Sequence, residues 1–430
     1  MIQVLGSSWA ILLGLLLLML GNGIQGTLLG IRGAIEGFST YEMSLVMSAY
    51  FLGFFGGSRM TPRLIQRVGH VRVFAALGSF TSAVLILFPT LTDPWAWVFL
   101  RVLIGFCFSG IYVTVESWLN NAVENENRGK ALSLYLIVQM AGIISAQGLV
   151  AVGDPSGFVL FIIPSVLVSI AFAPILLSAT PTPSFETTKP MGILEVFQIS
   201  PLGCVGVFVL GGVFSAMFGM AAVYATEAGY SVGQISLFVA MIYVGGLLLQ
   251  FPIGWVSDRM DRRILILGVS ALGGAAALIG SMTTEIYWVI IGVAFFVGGT
   301  ANPLYALLLA YVNDYLDGER MAGASGALIF VNGIGAIAGP LVIGWLMAQL
   351  GPRGFWLFVA ILMLGLAAYA VWRMGRRPMA VPVEETVPYA PITPVASPVA
   401  TQLAQEYYAD TSDEIVSDSA TNETSRDHKS

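Results

Sequence analysis

Long apolar runs separated by short polar stretches occupy most of this chain. Each run is about twenty residues long, the length that a helix needs to cross a hydrocarbon core of roughly 30 Å. There are twelve, at approximately 7–30, 42–60, 73–91, 96–120, 130–152, 157–179, 202–226, 234–256, 263–283, 286–312, 321–348 and 354–373. The pattern predicts an all-α integral membrane protein with twelve transmembrane helices.

The composition supports this interpretation. Of 430 residues, 57% are hydrophobic, only 10% are charged and 49 are glycine, which excludes an ordinary soluble domain. A cleaved signal peptide is the alternative for the first run, but residues 1–31 contain no Lys or Arg and the run is too long. Cys107 and Cys204 both fall inside predicted helices, so no disulfide or metal framework is indicated.

Basic residues of the loops predict the orientation, because Lys and Arg are retained on the cytoplasmic side of a membrane. One set of loops, with the segment after the last run, holds fourteen of them: Arg59, Arg63, Arg67, Arg72, Arg128, Lys130, Lys189, Arg259, Arg262, Arg263, Arg320, Arg373, Arg376 and Arg377. The alternate set holds only Arg32 and Arg353. The N- and C-termini are therefore predicted to be cytoplasmic. The net charge of -6 does not contradict this, since nine of the 25 acids lie beyond residue 380.

Landmarks of the first half recur in the second half. Arg67 and Arg259 follow the second and eighth runs, Arg128 and Arg320 follow the fourth and tenth, and each pair is 192 residues apart. Two parallel six-helix units explain this period, and such halves flank a midplane cavity in a known transporter architecture. We expect six-helix bundles over residues 1–179 and 201–375 and a cytoplasmic linker over residues 180–200. Residues 376–430, rich in Pro, Thr, Ser and acids, are expected to form a disordered acidic cytoplasmic tail.

The stretch GWVSDRMDRR at 254–263 resembles the loop signature of the major facilitator superfamily. Its matching residues are Gly254, Asp258, Arg259, Arg262 and Arg263. The first half carries a degenerate copy with Arg63, Arg67, Gly69 and Arg72, in which Gln66 replaces the expected Asp. RMTPRLIQRVGHVRVFAAL, VESWLN and NRGKALSLY further resemble the YcaD-like group of bacterial inner-membrane transporters. The resemblance implies two pseudo-symmetric six-helix bundles and secondary transport across the bacterial inner (plasma) membrane by alternating access.

The resemblance also implies a role for the loop charges. In the superfamily they act as a cytoplasmic latch, pairing with helix ends while the cavity faces outward and separating when it opens inward. Because Gln66 cannot form such ion pairs, Glu116 is the expected acid for the first-half arginines. The alternative is that the loop charges only fix topology and solvate the loops.

Charges inside the predicted helices indicate function, because burying a charge in hydrocarbon is costly. Arg101 opens RVLIGFCFSG, which resembles a superfamily motif common in proton-driven antiporters. Helical geometry places Arg101, Tyr112 and Glu116 on one face. We therefore expect Glu116 to be the proton-coupling site, with Arg101 tuning its pKa or binding an anion. Alternatively, Arg101 only hydrogen-bonds helix carbonyls, and transport is facilitated diffusion or is coupled to another ion.

Polar, uncharged residues near mid-helix predict a ring that contacts the solute. They are Asn22, Gln25, Tyr112, Gln139, Tyr243, Gln250, Asn302, Tyr305 and Asn332. By the repeat, Gln139 and Asn332 should face each other, and about half of the ring is expected to join helices instead of touching solute. No GxxxxGK[ST] loop is present, which argues against an ATP-driven pump within this chain.

These features predict a monomeric secondary transporter in the lipid bilayer that carries a small organic solute, with protons coupled through Glu116. No cofactor, metal or nucleic acid is expected. A facilitator without proton coupling is one alternative, and a transporter-fold membrane receptor that signals through its tail is another. The favoured interpretation of the tail is a tolerated, unstructured end. An enzyme is not expected, because the sequence shows no nucleophile–base constellation, metal-ligand cluster or cofactor loop.

Overall fold

The computed structural model describes residues 2–123, 127–176, 191–316, 318–376 and 389–392. Within these residues the chain is helical, without strands. The helices are α1 (Ile2–Ile35), α2 (Thr40–Val68), α3 (His70–Leu87), α4 (Pro94–Asn121), α5 (Arg128–Val152), α6 (Val159–Leu176), α7 (Ile193–Ile199), α8 (Pro201–Ser215), α9 (Ala221–Glu227), α10 (Val232–Ser257), α11 (Arg262–Met282), α12 (Tyr287–Asn313), α13 (Gly318–Leu350) and α14 (Arg353–Met374). A π-helical turn, Ala216–Met220, joins α8 to α9 into one long element. With that element counted once and the short α7 set aside, the described residues form twelve long helices, as predicted.

The helices have the length and polarity of membrane spans. Across the described ranges, 11 of them are long and apolar enough to cross a bilayer. The exception is α2, whose 29 residues include Glu42 near the start and Arg59, Arg63 and Arg67 near the end. These charges lie toward the two ends of α2, and its last turns extend past the apolar run predicted at 42–60.

The repeat is visible in the turn before the second helix of each half. Gly37 and Gly229 end the preceding helices with φ angles of 78° and 77°, a conformation that glycine adopts without steric cost. Ser39 and Ser231 then cap α2 and α10, each in a capping box completed by the residue three positions later. Both the glycines and the serines are 192 residues apart. The two halves therefore begin this helix by the same local chemistry.

Helix packing repeats in the same way. α2 packs on α4 and α10 packs on α12, and Gly53 and Gly245 each lie against a backbone carbonyl of the partner helix. A side chain at either position would overlap that carbonyl oxygen, so the close approach requires glycine. Contacts of α1 with α5 and α6 match those of α8 with α13 and α14. This agrees with the two pseudo-symmetric six-helix bundles that the resemblance implied.

The two halves meet along α2 and α13, α5 and α10, and α1 and α9. We call the end of the bundle that carries the loops after α2, α4, α10 and α12 the arginine-rich end, and the other the opposite end. At the opposite end, the Thr40 hydroxyl donates a hydrogen bond to the Glu227 carboxylate. Toward the arginine-rich end, the Arg59 guanidinium carbon lies 4.4 Å from the centroid of the Phe330 ring. The halves therefore touch on both sides of the middle of the bundle.

Two segments outside the long helices also contact the bundle. In the expected linker, Glu195 of α7 forms an ion pair of 2.6 Å with Arg320 of α13. In the expected tail, Ala390 and Ile392 are buried. Residues 180–190, 377–388 and 393–430 lie outside the described residues, so for them the linker and the disordered tail stay predictions.

Candidate functional site

A cavity lies between the two halves at mid-helix level. Its walls come from α1, α2, α4 and α5 on one side and from α8, the π-helical turn, α9 and α10 on the other. It is lined by Asn22, Gly23, Gly26, Thr27, Tyr50, Phe51, Arg101, Tyr112, Gln139, Met140, Ile143, Gln147, Phe214, Met217, Phe218, Ala221, Ala222, Val239 and Tyr243. The cavity volume is about 50 Å³, room for a few water molecules. A solute larger than a few water molecules therefore needs more room than this arrangement of the two halves provides.

The two halves line the cavity with different chemistry. The first half contributes amides, hydroxyls and the guanidinium of Arg101, whereas the second half contributes mainly aromatic, methionine, alanine and valine side chains. Tyr243 brings a hydroxyl to this otherwise apolar wall. Met217 and Phe218 stand on the π-helical turn, a local irregularity that is frequent at functional sites. A polar wall thus faces an apolar wall across the interface of the two halves.

Arg101 is the charged group of the polar wall. It is 3% exposed, its Nη1 donates to Gln25 Oε1 over 3.1 Å, and its Nη2 contacts the Met47 sulfur at 3.4 Å. Its guanidinium carbon lies 4.7 Å from the centroid of the Tyr50 ring, a cation–π contact. In the part of the chain that the structure describes, no carboxylate forms an ion pair with Arg101, and its Nε has no hydrogen-bond partner. Because a buried cation without a counter-ion is costly, this arrangement favours an incoming anionic group.

Hydrogen bonds hold the other polar groups of this wall in place. The Asn22 amide donates to the Tyr112 hydroxyl over 3.2 Å, which joins α1 to α4. The Thr27 hydroxyl donates to Gln147 Oε1 over 2.9 Å, which joins α1 to α5. These two hydrogen bonds fix side chains of the polar wall across three helices, α1, α4 and α5.

Glu116 lies outside the cavity, one helical turn beyond Tyr112. It is 1% exposed, and its Oε1 accepts a hydrogen bond of 2.6 Å from the Tyr135 hydroxyl of α5. Arg101 and Glu116 are 15 positions apart on α4. That spacing corresponds to roughly 22 Å of helix rise, too far for Arg101 to act on Glu116 by contact.

The cavity combines residues that the sequence indicated with others that it did not. Of the predicted ring, Asn22, Tyr112, Gln139 and Tyr243 line the cavity and Gln25 holds Arg101. Sequence reasoning missed Tyr50, Thr27 and Gln147, as well as the apolar wall. Gln147 is a mid-helix amide like the others, so the same criterion could have found it. The apolar wall had no comparable signal, because apolar side chains line every helix of this protein.

The remaining members of the predicted ring contribute to packing in the second half. Asn332 donates to a carbonyl of α8 and Asn302 to a carbonyl of its own helix, both over 3.1 Å. Tyr305 is buried away from the cavity, and Gln250 bonds the tail at Tyr389. Gln139 lines the cavity and Asn332 does not, so these two amides do not face each other across it.

Charges of the loop signature pair within the second half. Arg262, 2% exposed, forms an ion pair with Asp314, 7% exposed, at the end of α12. Burial raises the pKa of Asp314 above its ordinary value, and the charge of Arg262 opposes this shift. Arg263 pairs with Asp261 at 2.6 Å, and Arg259 stacks on a tryptophan of α10. These contacts join the loop after α10 to α11 and α12, elements of the same half.

The degenerate copy in the first half behaves differently. Arg63, Arg67 and Arg72 are exposed, and none forms an ion pair with another described residue. Gly69 forms the turn after α2 with a φ of 87°. Glu116, the acid expected for these arginines, accepts a hydrogen bond from the Tyr135 hydroxyl. A latch formed by the first-half loop therefore stays a prediction.

Comparisons with known proteins extend these observations. The family model described as Major Facilitator Superfamily matches residues 11–232 and 202–403. The MFS-type transporter YcaD of Salmonella arizonae is 25% identical over 354 residues, which are 81% of this chain and 91% of that protein. YcaD of Escherichia coli O6:K15:H31 is 26% identical over 355 residues, with the same coverage. Solved structures of the nucleoside transporter NupG cover 86% of this chain and 100% of their own, with TM-scores of 0.74 for a mutant and 0.69, at 14% identity. At that identity the structural likeness shows the fold alone.

Proposed function

This chain belongs to the major facilitator superfamily of membrane transporters, and we propose that it carries a small amphipathic acid across the bacterial inner membrane. Transport occurs by alternating access, with the two six-helix halves rocking about the cavity between them. The observation that carries the proposal is the divided cavity, in which a polar wall faces an apolar wall and contains Arg101, which has no carboxylate partner among the described residues.

Arg101 selects the acidic group of the solute. Its Nε is unpaired and its other nitrogens bond an amide oxygen and a thioether, so an incoming carboxylate gains hydrogen bonds without displacing a counter-ion. Hydrogen bonds to charged groups are stronger than those between neutral groups. The Asn22 and Gln139 amides then bond further polar atoms of the solute.

The apolar wall selects the body of the solute. Phe214, Phe218 and Met217 offer rings and a flexible thioether that adapt to different apolar shapes. Each buried methylene contributes about 0.8 kcal/mol, so affinity should rise with the apolar size of the acid until the cavity is filled. A small polar acid and a neutral apolar molecule would each use one wall and bind weakly.

Glu116 is the proton-coupling group in this proposal. It is buried one turn from Tyr112, which lines the cavity, and it is bonded to Tyr135 of α5. When solute binding moves α4 relative to α5, the Glu116–Tyr135 bond changes, and with it the proton affinity of Glu116. Arg101 binds solute and Glu116 binds protons, so the two functions are separated along α4.

The arginine-rich end faces the cytoplasm in this proposal. Support comes from the distribution of basic residues, which are retained on the cytoplasmic side of membranes. Single cysteines at Arg67 and at Asp154, labelled by a membrane-impermeant maleimide in intact cells, test the orientation. Labelling at Asp154 without labelling at Arg67 is expected, and the reverse would invert the topology.

The decisive experiment measures binding and transport in proteoliposomes with a panel of small carboxylic acids, their neutral amides and several nucleosides. Wild type is compared with Arg101→Gln, Arg101→Lys and Glu116→Gln. Acids with an apolar body should bind and move, and Arg101→Gln should weaken their binding by roughly tenfold to a hundredfold. Arg101→Lys keeps the charge but loses the planar guanidinium group, so it should bind these acids more weakly than wild type and more tightly than Arg101→Gln.

Proton movement separates the mechanisms. Acid-driven proton flux that Glu116→Gln abolishes, while solute exchange survives, would establish Glu116 as the coupling site. Solute movement without proton flux in wild type would leave a facilitator. Equal binding of acids and amides would refute the role of Arg101, and movement of nucleosides alone would favour the solute of the structural neighbour NupG.

A further inference from the structure

Four residues of the tail, Tyr389–Ile392, occupy a site on the second half. We call them the tail segment. The Tyr389 hydroxyl accepts a hydrogen bond from Gln250 Nε2 over 2.7 Å and donates one to the Pro303 carbonyl over 3.3 Å. The Tyr389 backbone amide donates to Asp258 Oδ1 over 2.7 Å. One residue of the tail thus contacts α10, its C-terminal cap and α12.

The bundle has a shaped groove for this segment. We define the tail groove by Gln250, Gly254, Asp258 and Pro303. A Cβ atom at Gly254 would lie 2.6 Å from Cδ1 of the Tyr389 ring, so the ring fits because this residue is glycine. Next to Tyr389, Ala390 and Ile392 are 0% and 3% exposed. Specific hydrogen bonds combined with buried alternate side chains are the usual features of peptide recognition.

The tail groove lies between the solute cavity and the arginine-rich end. Tyr243 lines the cavity, and Gln250 follows it by seven positions on α10. Seven residues are nearly two helical turns, so both side chains share one face and Gln250 lies roughly 10 Å nearer the arginine-rich end. The Tyr389 ring therefore stands beside the route that a solute would take between the cavity and that end.

We infer that the tail segment is an autoinhibitory plug, and that the tail groove is a binding site for a Tyr-Ala-Pro-Ile peptide of the chain itself. Docked, the segment ties α10 to α12 and obstructs the route to the arginine-rich end. Residues 377–388 connect it to the bundle, so the segment is always present at high effective concentration. The groove as a binding site stands by itself, whereas its effect on transport rests on the proposed function.

Binding in the groove is tested with a fluorescent peptide of residues 385–395 and a protein truncated after Arg376. The peptide should bind saturably to the truncated protein and much less to the full chain, whose own segment competes. A peptide with Tyr389→Phe loses both side-chain hydrogen bonds and should bind about tenfold more weakly. Equal binding by the two peptides, or no binding to the truncated protein, would overturn the assignment of the groove.

Obstruction is tested by the initial rate of solute transport in the full chain. Tyr389→Ala and the truncation should each raise this rate several-fold, and the free peptide should lower the rate of the truncated protein. Tyr407→Ala, a tyrosine elsewhere in the tail, is the matched control and should leave the rate unchanged. Equal rates for Tyr389→Ala and wild type would overturn the plug. Peptide binding in a protein that moves no solute would support the groove and refute the transport proposal.

Discussion

Removing the carboxylate of Asp314 leaves the Arg262 guanidinium buried without its observed counter-ion, which makes this pair a sensitive test of the packing at the arginine-rich end. The two side chains are 7% and 2% exposed, and the pair joins the start of α11 to the end of α12. We consider Asp314→Leu, which has no group that could accept a hydrogen bond from Arg262.

The expected cost follows from burial. Breaking a buried ion pair by removing one partner typically costs ~3–5 kcal/mol. Arg262 keeps weaker hydrogen bonds, at 3.4 Å to the Ala310 carbonyl and at 3.4 Å to the Ser257 hydroxyl, so we expect the lower end of that range. For a unit the size of one half, ~3 kcal/mol lowers the unfolding midpoint by roughly 6–12 °C.

Thermal unfolding of purified protein in detergent, followed by tryptophan fluorescence, measures this shift. Arg262→Met/Asp314→Leu is the informative partner variant, because replacing a whole buried pair by apolar side chains is often nearly neutral. We therefore expect the double variant to be more stable than Asp314→Leu alone. If the pair is structural, the double variant should also transport at the wild-type rate.

Two results would refute this reasoning. A midpoint for Asp314→Leu within about 2 °C of wild type would mean that Arg262 finds another counter-charge or reaches water. A double variant as unstable as the sum of its single variants would mean that the two residues are not coupled. A double variant of normal stability that fails to transport would instead assign the pair to the latch.

Three further expectations follow from the described geometry. Gly245→Ala should lower the unfolding midpoint by several degrees, because the new Cβ overlaps the Phe295 carbonyl. Gly292→Ala, whose new Cβ has no atom within 4 Å, should leave the midpoint unchanged. Equal midpoints for the two variants would contradict the packing argument. A disulfide between cysteines placed at Thr40 and Glu227 should hold the opposite end closed and stop transport until it is reduced, and full transport in the oxidised variant would show that this end does not open. Burial alone would raise the pKa of Asp261, but hydrogen bonds from the side chain and backbone of Arg263, with its charge, hold it below the ordinary 3.8. The ionised Asp261 carboxylate therefore stabilises the fold above its unfolded pKa, and this stabilisation is lost as the pH falls through its folded pKa. Asp261→Asn should unfold more easily than wild type at neutral pH and as easily as wild type in strong acid. A stability difference that does not change with pH would contradict this expectation.

Much of the architecture could be predicted from local patterns. A hydrocarbon core requires each crossing to be a helix of about twenty apolar residues, so the number of apolar runs gives the number of transmembrane helices. The repeat was visible because Arg67 and Arg259 recur at the spacing that also separates Gly37 from Gly229 and Ser39 from Ser231. Helix ends were less accurate, since α2 continues for turns beyond its apolar run.

The candidate site was only partly predictable. Arg101 could be identified because a charge inside an apolar run is costly and therefore informative. The same criterion selected Asn302 and Asn332, which bond nearby carbonyls and do not reach the cavity. A mid-helix amide can satisfy its hydrogen bonds toward a solute or toward a neighbouring helix, and sequence spacing does not distinguish the two directions.

The amino-acid sequence was enough to predict the helical class, the number of crossings, the twofold repeat and a buried cation. Each of these follows from composition within one helix or from spacing along the chain. The folded structure was needed to show which polar residues meet and that one half supplies the polar wall and the other the apolar wall. It was also needed to show that Tyr389 docks against Gln250 and Asp258. These are contacts between distant segments. They depend on how helices rotate and pack against each other, and no local pattern encodes that rotation.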